Sequence, residues 1–222
     1  MSEIKSHSGY GKKLEIIRKN ELGPCFDVAL EEKTAYIVGG CSLYVADVEL
    51  PGNLEITGRL SGLGSVRQVA VQNKLAYISS RADGVFIVDA SNPEKPFLLC
   101  HYDSVELATG IFVSGNLLFV ANRDFGVEII DAGNPEKPVH LSSAHTGEAQ
   151  SVYVQGNYLY AGVWSAAKLV TVNISNPCKP EITAKADLDG FGDGVCIQGR
   201  YAYAATGHHQ PLWLKTGRTS ES

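Results

Sequence analysis

Asp89 to Pro96 reads DASNPEKP, and the same frame returns as DAGNPEKP at Asp131 to Pro138 and as NISNPCKP at Asn173 to Pro180. Asp47, Asp89, Asp131 and Asn173 stand 42 residues apart. A period of about 40–45 residues suits one four-stranded propeller blade. The question the stretch raises is whether it is an acidic binding motif used three times or a piece of architecture.

Working outward, each copy carries the same order of short apolar segments. Around DASNPEKP they are LEITGR (54–59), QVAVQN (68–73), LAYISS (75–80) and GVFIVD (84–89). The flanking copies repeat them, from LEIIRK (14–19) to YAYAAT (201–206). All are rich in Val, Ile and Tyr and alternate or run briefly apolar, as strands covered on one or both faces do. Between the second and third segments lie EK, NK, GN, GN and GR, dipeptides that allow positive φ and close a two-residue hairpin. No extended period near 3.6 leaves room for helices. Four antiparallel strands repeated along the chain predict an all-β fold, a β-propeller of about five blades whose last blade is incomplete or degenerate.

The fourth segment reads LYVAD (43–47), VFIVD (85–89), VEIID (127–131) and LVTVN (169–173), followed by SNPEKP, GNPEKP and SNPCKP. Strand, turn and period together resemble the LVIVD-repeat family of β-propellers over roughly residues 14–206. The resemblance implies a fold and no common reaction, and such families include secreted and cell-surface proteins.

Propeller chains usually enter a blade at its outer strand. Cut that way, the repeats fall at about 14–53, 54–95, 96–137, 138–179 and 180–216, between an N-terminal tail (1–13) and a polar, disordered tail (217–222). DASNPEKP then becomes the corner between one blade and the next. Pro93 forces Asn92 out of the helical region, and Pro96 removes an amide donor where an edge strand starts. The end of the chain has two readings. PLWLKT (211–216) serves as a degenerate third strand and LEIIRK closes a five-bladed ring, or the chain is a truncated part of a larger surface propeller.

Hydrophobic residues make up 44% and charged residues 19%, an ordinary globular balance. A net charge of −5 without a Lys/Arg run gives no support to nucleic-acid binding. The N-terminus lacks an apolar signal core, and no apolar run reaches the roughly 18 residues of a membrane span. The expected location is cytoplasmic, with secreted or cell-surface placement if the chain is a fragment. The five cysteines are odd in number and lack C-x-x-C spacing. They read as reduced, small apolar fillers.

Repeat folds leave function to the loops that differ between repeats. Asp27, Arg67, Gln68, Thr109, Gln150 and Asp193 sit at or just before inner strands, where side chains reach a channel mouth. Arg81-x-Asp83 and Arg123-Asp124 repeat an Arg beside a carboxylate, which suits a structural ion pair or a fork for an anion. Trp164 takes a loop slot that holds small or charged residues in other blades, as a stacking platform or as rim packing. His208 and His209 suit proton transfer, but neighbours on a strand point to opposite faces, which disfavours one shared metal. The candidate ligand residues are therefore Asp27, Arg67, Arg81, Arg123, Asp124, Gln150, Trp164, Asp193, His208 and His209. No catalytic constellation, cofactor motif or metal set is expected. The leading expectation is a non-catalytic interaction scaffold that binds a protein or carbohydrate through its loop face. The competing one is a hydrolase or lyase for a sugar or small anion, with Asp193 or Asp124 as acid/base.

Overall fold

The computed structural model describes residues 22–50, 52 and 54–207. Every regular element among them is a strand. The first sheet holds β1 (Cys25–Glu31), β2 (Thr34–Gly39), β3 (Ser42–Asp47) and β4 (Glu55–Ser61), antiparallel and paired in that order. The second holds β5 (Gln68–Gln72), β6 (Leu75–Ser79), β7 (Val85–Asp89) and β8 (Phe97–Tyr102). The third holds β9 (Ala108–Ser114), β10 (Leu117–Asn122), β11 (Gly126–Asp131) and β12 (Val139–Ala144). The fourth holds β13 (Ala149–Gln155), β14 (Tyr158–Val163), β15 (Lys168–Asn173) and β16 (Glu181–Asp187). A two-stranded fifth sheet pairs β17 (Phe191–Gln198) with β18 (Tyr201–Gly207).

The first strands β1, β5, β9, β13 and β17 pack in succession, and all five line a central channel of about 560 Å³. These sheets are the blades of a β-propeller. Among the described residues, β17 and β1 do not pack on each other as successive first strands do. LEIIRK and PLWLKT, and with them both readings of ring closure, lie outside the described residues, as do both tails.

Local chemistry sets each blade. The dipeptide between first and second strands makes a two-residue turn, with Glu31 opposite Thr34 and Gln72 opposite Leu75. Glu32, Asn73, Gly115, Gly156 and Gly199 take positive φ there, the mirror-type turn that matches strand twist. The third strands β3, after its opening Ser42, and β7 run continuously apolar up to their closing Asp because both faces are covered. In β7, Val85 and Ile87 pack toward the third sheet, while Phe86 and Val88 pack toward the first. A period-2 chain thus supplies two cores from one strand. Each third strand also shifts register by a bulge against its outer strand, at Val45/Ala46, Ile87/Val88, Ile129/Ile130 and Thr171/Val172.

The phase of the blades differs from the expected cut. Asp89 pairs with Phe97 and Val85 with Tyr102, so DASNPEKP joins two neighbours within one sheet rather than two blades. The outer strand at 55–61 likewise belongs to the blade that precedes it. Its physical role is a fixed turn. Asp89 Oδ1 accepts the Ser91 N–H at 2.7 Å, Asn92 Oδ1 accepts the Glu94 N–H at 3.1 Å, and Asn92 O accepts the Lys95 N–H at 3.0 Å. The same bonds recur from Asp131 and Asn134 and from Asn173 and Asn176. The turn also leans on the preceding blade. A Cβ on Gly58 of β4 would lie 2.0 Å from Pro93 O, and the Ser142 hydroxyl of β12 donates to Pro177 O at 2.6 Å.

Blades are tied at the channel as well. Asp27 Oδ2 accepts the Val69 N–H at 3.0 Å, and the Glu31 carboxylate accepts those of Asn73 and Lys74. Gln72 exchanges two bonds with the Gly115 backbone, and Gln155 Nε2 donates to Gly199 O. The cysteines correct the expectation of apolar fillers. All five are free, four are exposed, and only Cys100 is half-buried, where burial pushes its thiol pKa up.

Candidate functional site

The two ends of the channel are built differently. One end carries the hairpin dipeptides and the DASNPEKP-type turns, whose polar groups are consumed by the turns themselves. The other carries the links into the first strands and the links between second and third strands, where the repeats diverge in sequence. At that end lies a concavity of about 270 Å³. Arg67, Thr109, Gln150 and Asp193 line it from the entrances of four first strands, and Arg81, Arg123, Glu148 and Trp164 close it from the loops.

Backbone geometry places the loop arginines. Arg81 and Arg123 have φ of 28° and 32°, in the left-handed region that costs an L residue of order 1–3 kcal/mol. Cross-blade bonds hold them there. Arg81 O accepts the Ala108 N–H at 3.0 Å, and Arg123 O accepts that of Ala149 at 2.9 Å. In the fourth blade the Trp164 N–H donates to Glu148 O at 2.8 Å, which extends the β13–β14 ladder within that blade. The Trp164 ring stacks on Phe191 with centroids 4.1 Å apart, forming a flat wall.

The charges are unevenly matched. Arg123 donates its Nε–H to Glu148 Oε1 at 3.1 Å, and that contact raises its already high pKa. Arg67 and Arg81 form no ion pair among the described residues. The Arg67 guanidinium lies 5.5 Å over the Phe26 ring. Burial first, and the Arg81 charge second, push its pKa down. The Thr109 hydroxyl is spent on the Ala121 and Ala149 carbonyls, so it is wall rather than ligand.

Six of the ten expected ligand residues therefore share this concavity: Arg67, Arg81, Arg123, Gln150, Trp164 and Asp193. Asp27 does not. It lines the channel below and ties β1 to β5, and burial raises its carboxyl pKa against the lowering effect of the Val69 and Val28 N–H groups. Asp124 also stands apart, exposed, with its N–H donated to Glu106 Oε2 at 3.0 Å. His208 and His209 lie outside the described residues. Neither expected Arg–Asp neighbour pair forms: Asp83 Oδ2 caps the Ser65 N–H, and Arg123 turns to Glu148. Glu148 was missed because its partner lies 25 residues away, although Glu106 and Glu148 stand at the 42-residue spacing.

Among the described residues no group of three His, Cys, Asp or Glu is placed to hold a metal ion. No helix among them is long and apolar enough to cross a membrane.

Comparison with curated proteins finds no match. Among solved structures, the chain is similar to the WD40 repeats of RRP9 at 14% identity and TM-score 0.69, over 85% of this chain and 62% of that one. It is similar to U3-55K at 13% identity and TM-score 0.62, over 77% of this chain and 56% of that one. It is also similar to the computationally designed Ika4 protein at 11% identity and TM-score 0.54, over 74% of this chain and 93% of that one. At these identities the likeness is one of fold, and the chain spans less than two thirds of the first of these structures. LVIVD repeats match residues 63–104, 107–146 and 146–187, which bracket the second, third and fourth sheets. These repeats take in more than half of the 222 residues, and the chain belongs to the LVIVD-repeat family.

Proposed function

We propose that this protein is a non-catalytic interaction module that engages a protein partner through its loop face, with the channel mouth as the anchor. The observation that carries the reading is the mouth itself. Side chains from several blades converge on one concavity, and Arg67, Arg81 and Gln150 there lack a side-chain hydrogen bond or ion pair among the described residues. Phe26, Val105 and Phe125 are exposed large apolar side chains on the same face. A polar pocket rimmed by exposed aromatic and aliphatic groups suits an anchor residue surrounded by a drier contact. The hydrolase or lyase reading draws less support, because Asp124 lies outside the concavity that Asp193 lines and Glu148 is held by Arg123.

Selection of a displayed random-peptide library on the whole chain tests the proposal. Recovered peptides are expected to lose about tenfold or more in affinity on Trp164→Ala or Phe125→Ala, as interface anchors do. They should be indifferent to Val139→Ala on the outer strand β12. Peptides that ignore the loop-face substitutions, or no peptides at all, would count against it.

A further inference from the structure

We infer that the channel mouth is a receptor for an anionic side chain of the partner, a carboxylate or a phosphate, with Arg67 and Arg81 as the paired forks. This rests on the loop-face reading above and names the chemistry the mouth selects. The repeat itself shows why the two arginines are available. Arg81 and Arg123 are equivalent, as are Glu106 and Glu148. Arg123 takes Glu148 as its partner, which makes Glu106 the expected partner of Arg81. Glu106 is diverted: its Oε2 accepts the Asp124 N–H. Arg81 is left facing Arg67 with no ion-pair partner among the described residues, and the two like charges repel, an effect that adds to the larger one of burial in pushing the Arg67 pKa down.

An anion between them relieves that repulsion. The guanidinium fork matches carboxylate and phosphate in the plane, with two parallel N–H···O bonds. Arg123 adds its terminal nitrogens, since only its Nε is engaged. Size points the same way. At about 270 Å³ the concavity falls just short of the roughly 300–1,000 Å³ of drug-sized ligand sites, so one side chain fits better than a cofactor. The chain as a whole carries −5, which makes a concavity of three guanidiniums and two carboxylates a local reversal of sign that focuses anions.

The test uses the ¹⁵N-labelled full chain and the Trp164 indole N–H resonance, identified by its loss in Trp164→Phe. The probes are the capped peptides Gly-Glu-Gly, Gly-Gln-Gly and Gly-phosphoserine-Gly, and inorganic phosphate. The glutamate or phosphoserine peptide is expected to shift the resonance saturably at millimolar concentration. Affinity should fall about tenfold or more in Arg67→Met and in Arg81→Met, and on replacing Glu by Gln. It should also fall in roughly 0.5 M salt and stay unchanged in Arg200→Met. The better of the two charged peptides tells phosphate from carboxylate. Equal binding of the Gln peptide, unchanged affinity in both arginine variants that retain the native spectrum, binding of free phosphate alone, or no shift from any anion would overturn the inference. If anions fail while library peptides still depend on Trp164 and Phe125, the charge inference falls and the loop-face reading stands.

Discussion

Glu128 offers the sharpest test of how this repeat tolerates a polar residue in its core. It stands on β11 at the position filled by Tyr44, Phe86 and Val170 in the other third strands, and it is 1% exposed. Four donors surround its carboxylate: Tyr102 OH at 2.7 Å, Asn122 Nδ2 at 2.7 Å, His140 Nδ1 at 2.8 Å and the Val105 N–H at 3.2 Å. Asn122 is fully buried, and its Oδ1 already lacks a partner. Glu128→Ala strands the Tyr102 hydroxyl and the Asn122 amide, each at about 1–3 kcal/mol, and opens a cavity. The expected loss is about 3–5 kcal/mol, a large share of a typical domain's stability. Glu128→Gln should cost less, since one oxygen still accepts while its NH₂ meets a donor. His140→Ala should cost about 1 kcal/mol or less, because the imidazole is half-exposed. Glu128→Phe with Asn122→Ser rebuilds the second-blade arrangement of Phe86 and Ser80, and should be less destabilising than the two single changes added together. Urea unfolding followed by near-UV circular dichroism measures all six variants, the two single changes of the double mutant included, with the m-value watched for loss of two-state behaviour. A Glu128→Ala loss below about 0.5 kcal/mol would refute the reasoning, for it would mean that water or a rearrangement satisfies the stranded donors.

Three further outcomes are expected. Gly110→Ala puts a Cβ 2.7 Å from Gln150 O and 3.1 Å from Gln68 Oε1, so it should cost about 1–3 kcal/mol in urea and shift the Trp164 resonance through Gln150. Asp27 has its pKa raised above 3.8 by burial, so the folded state keeps a proton that the unfolded state has lost; stability should fall as pH rises from about 3.8 through the raised value. Asp27→Asn should remove that decline, as compared by denaturant midpoints across acidic pH, and a parallel decline in both proteins would contradict the assignment. Asp89→Ala removes the acceptor of the Ser91 N–H and should cost about 0.5–1.5 kcal/mol by thermal unfolding without changing any loop-face binding.

The period, the strands and the hairpins could be read from the residues because each is set locally. Two-residue turns, alternating apolar positions and Asx–Pro corners need no distant partner. The phase of the blades could not. Outer–inner–second–third and inner–second–third–outer are the same cyclic series, and only the pairing of Asp89 with Phe97 separates them. The channel mouth was partly legible for the same local reason: Arg67, Gln150 and Asp193 precede or open a first strand, so their end of the channel follows from strand direction. The partners of its charges were not. Arg81-x-Asp83 looks like a pair, yet Asp83 caps Ser65 across a loop, as Glu106 caps Asp124 and Asp27 caps Val69. Glu31 caps the next hairpin, and Asp47, Asp89 and Asp131 cap their own turns. These seven acids serve as backbone acceptors. In a fold made of turns and strand ends, N–H groups without a ladder partner are numerous, and a carboxylate is the strongest acceptor available to them. The overall charge of −5 therefore describes the scaffold, and it hides the mouth. With these seven acids committed to the backbone, Arg67 and Arg81 stand without ion-pair partners among the described residues, and the sign of the channel mouth is set by where the carboxylates went rather than by how many there are.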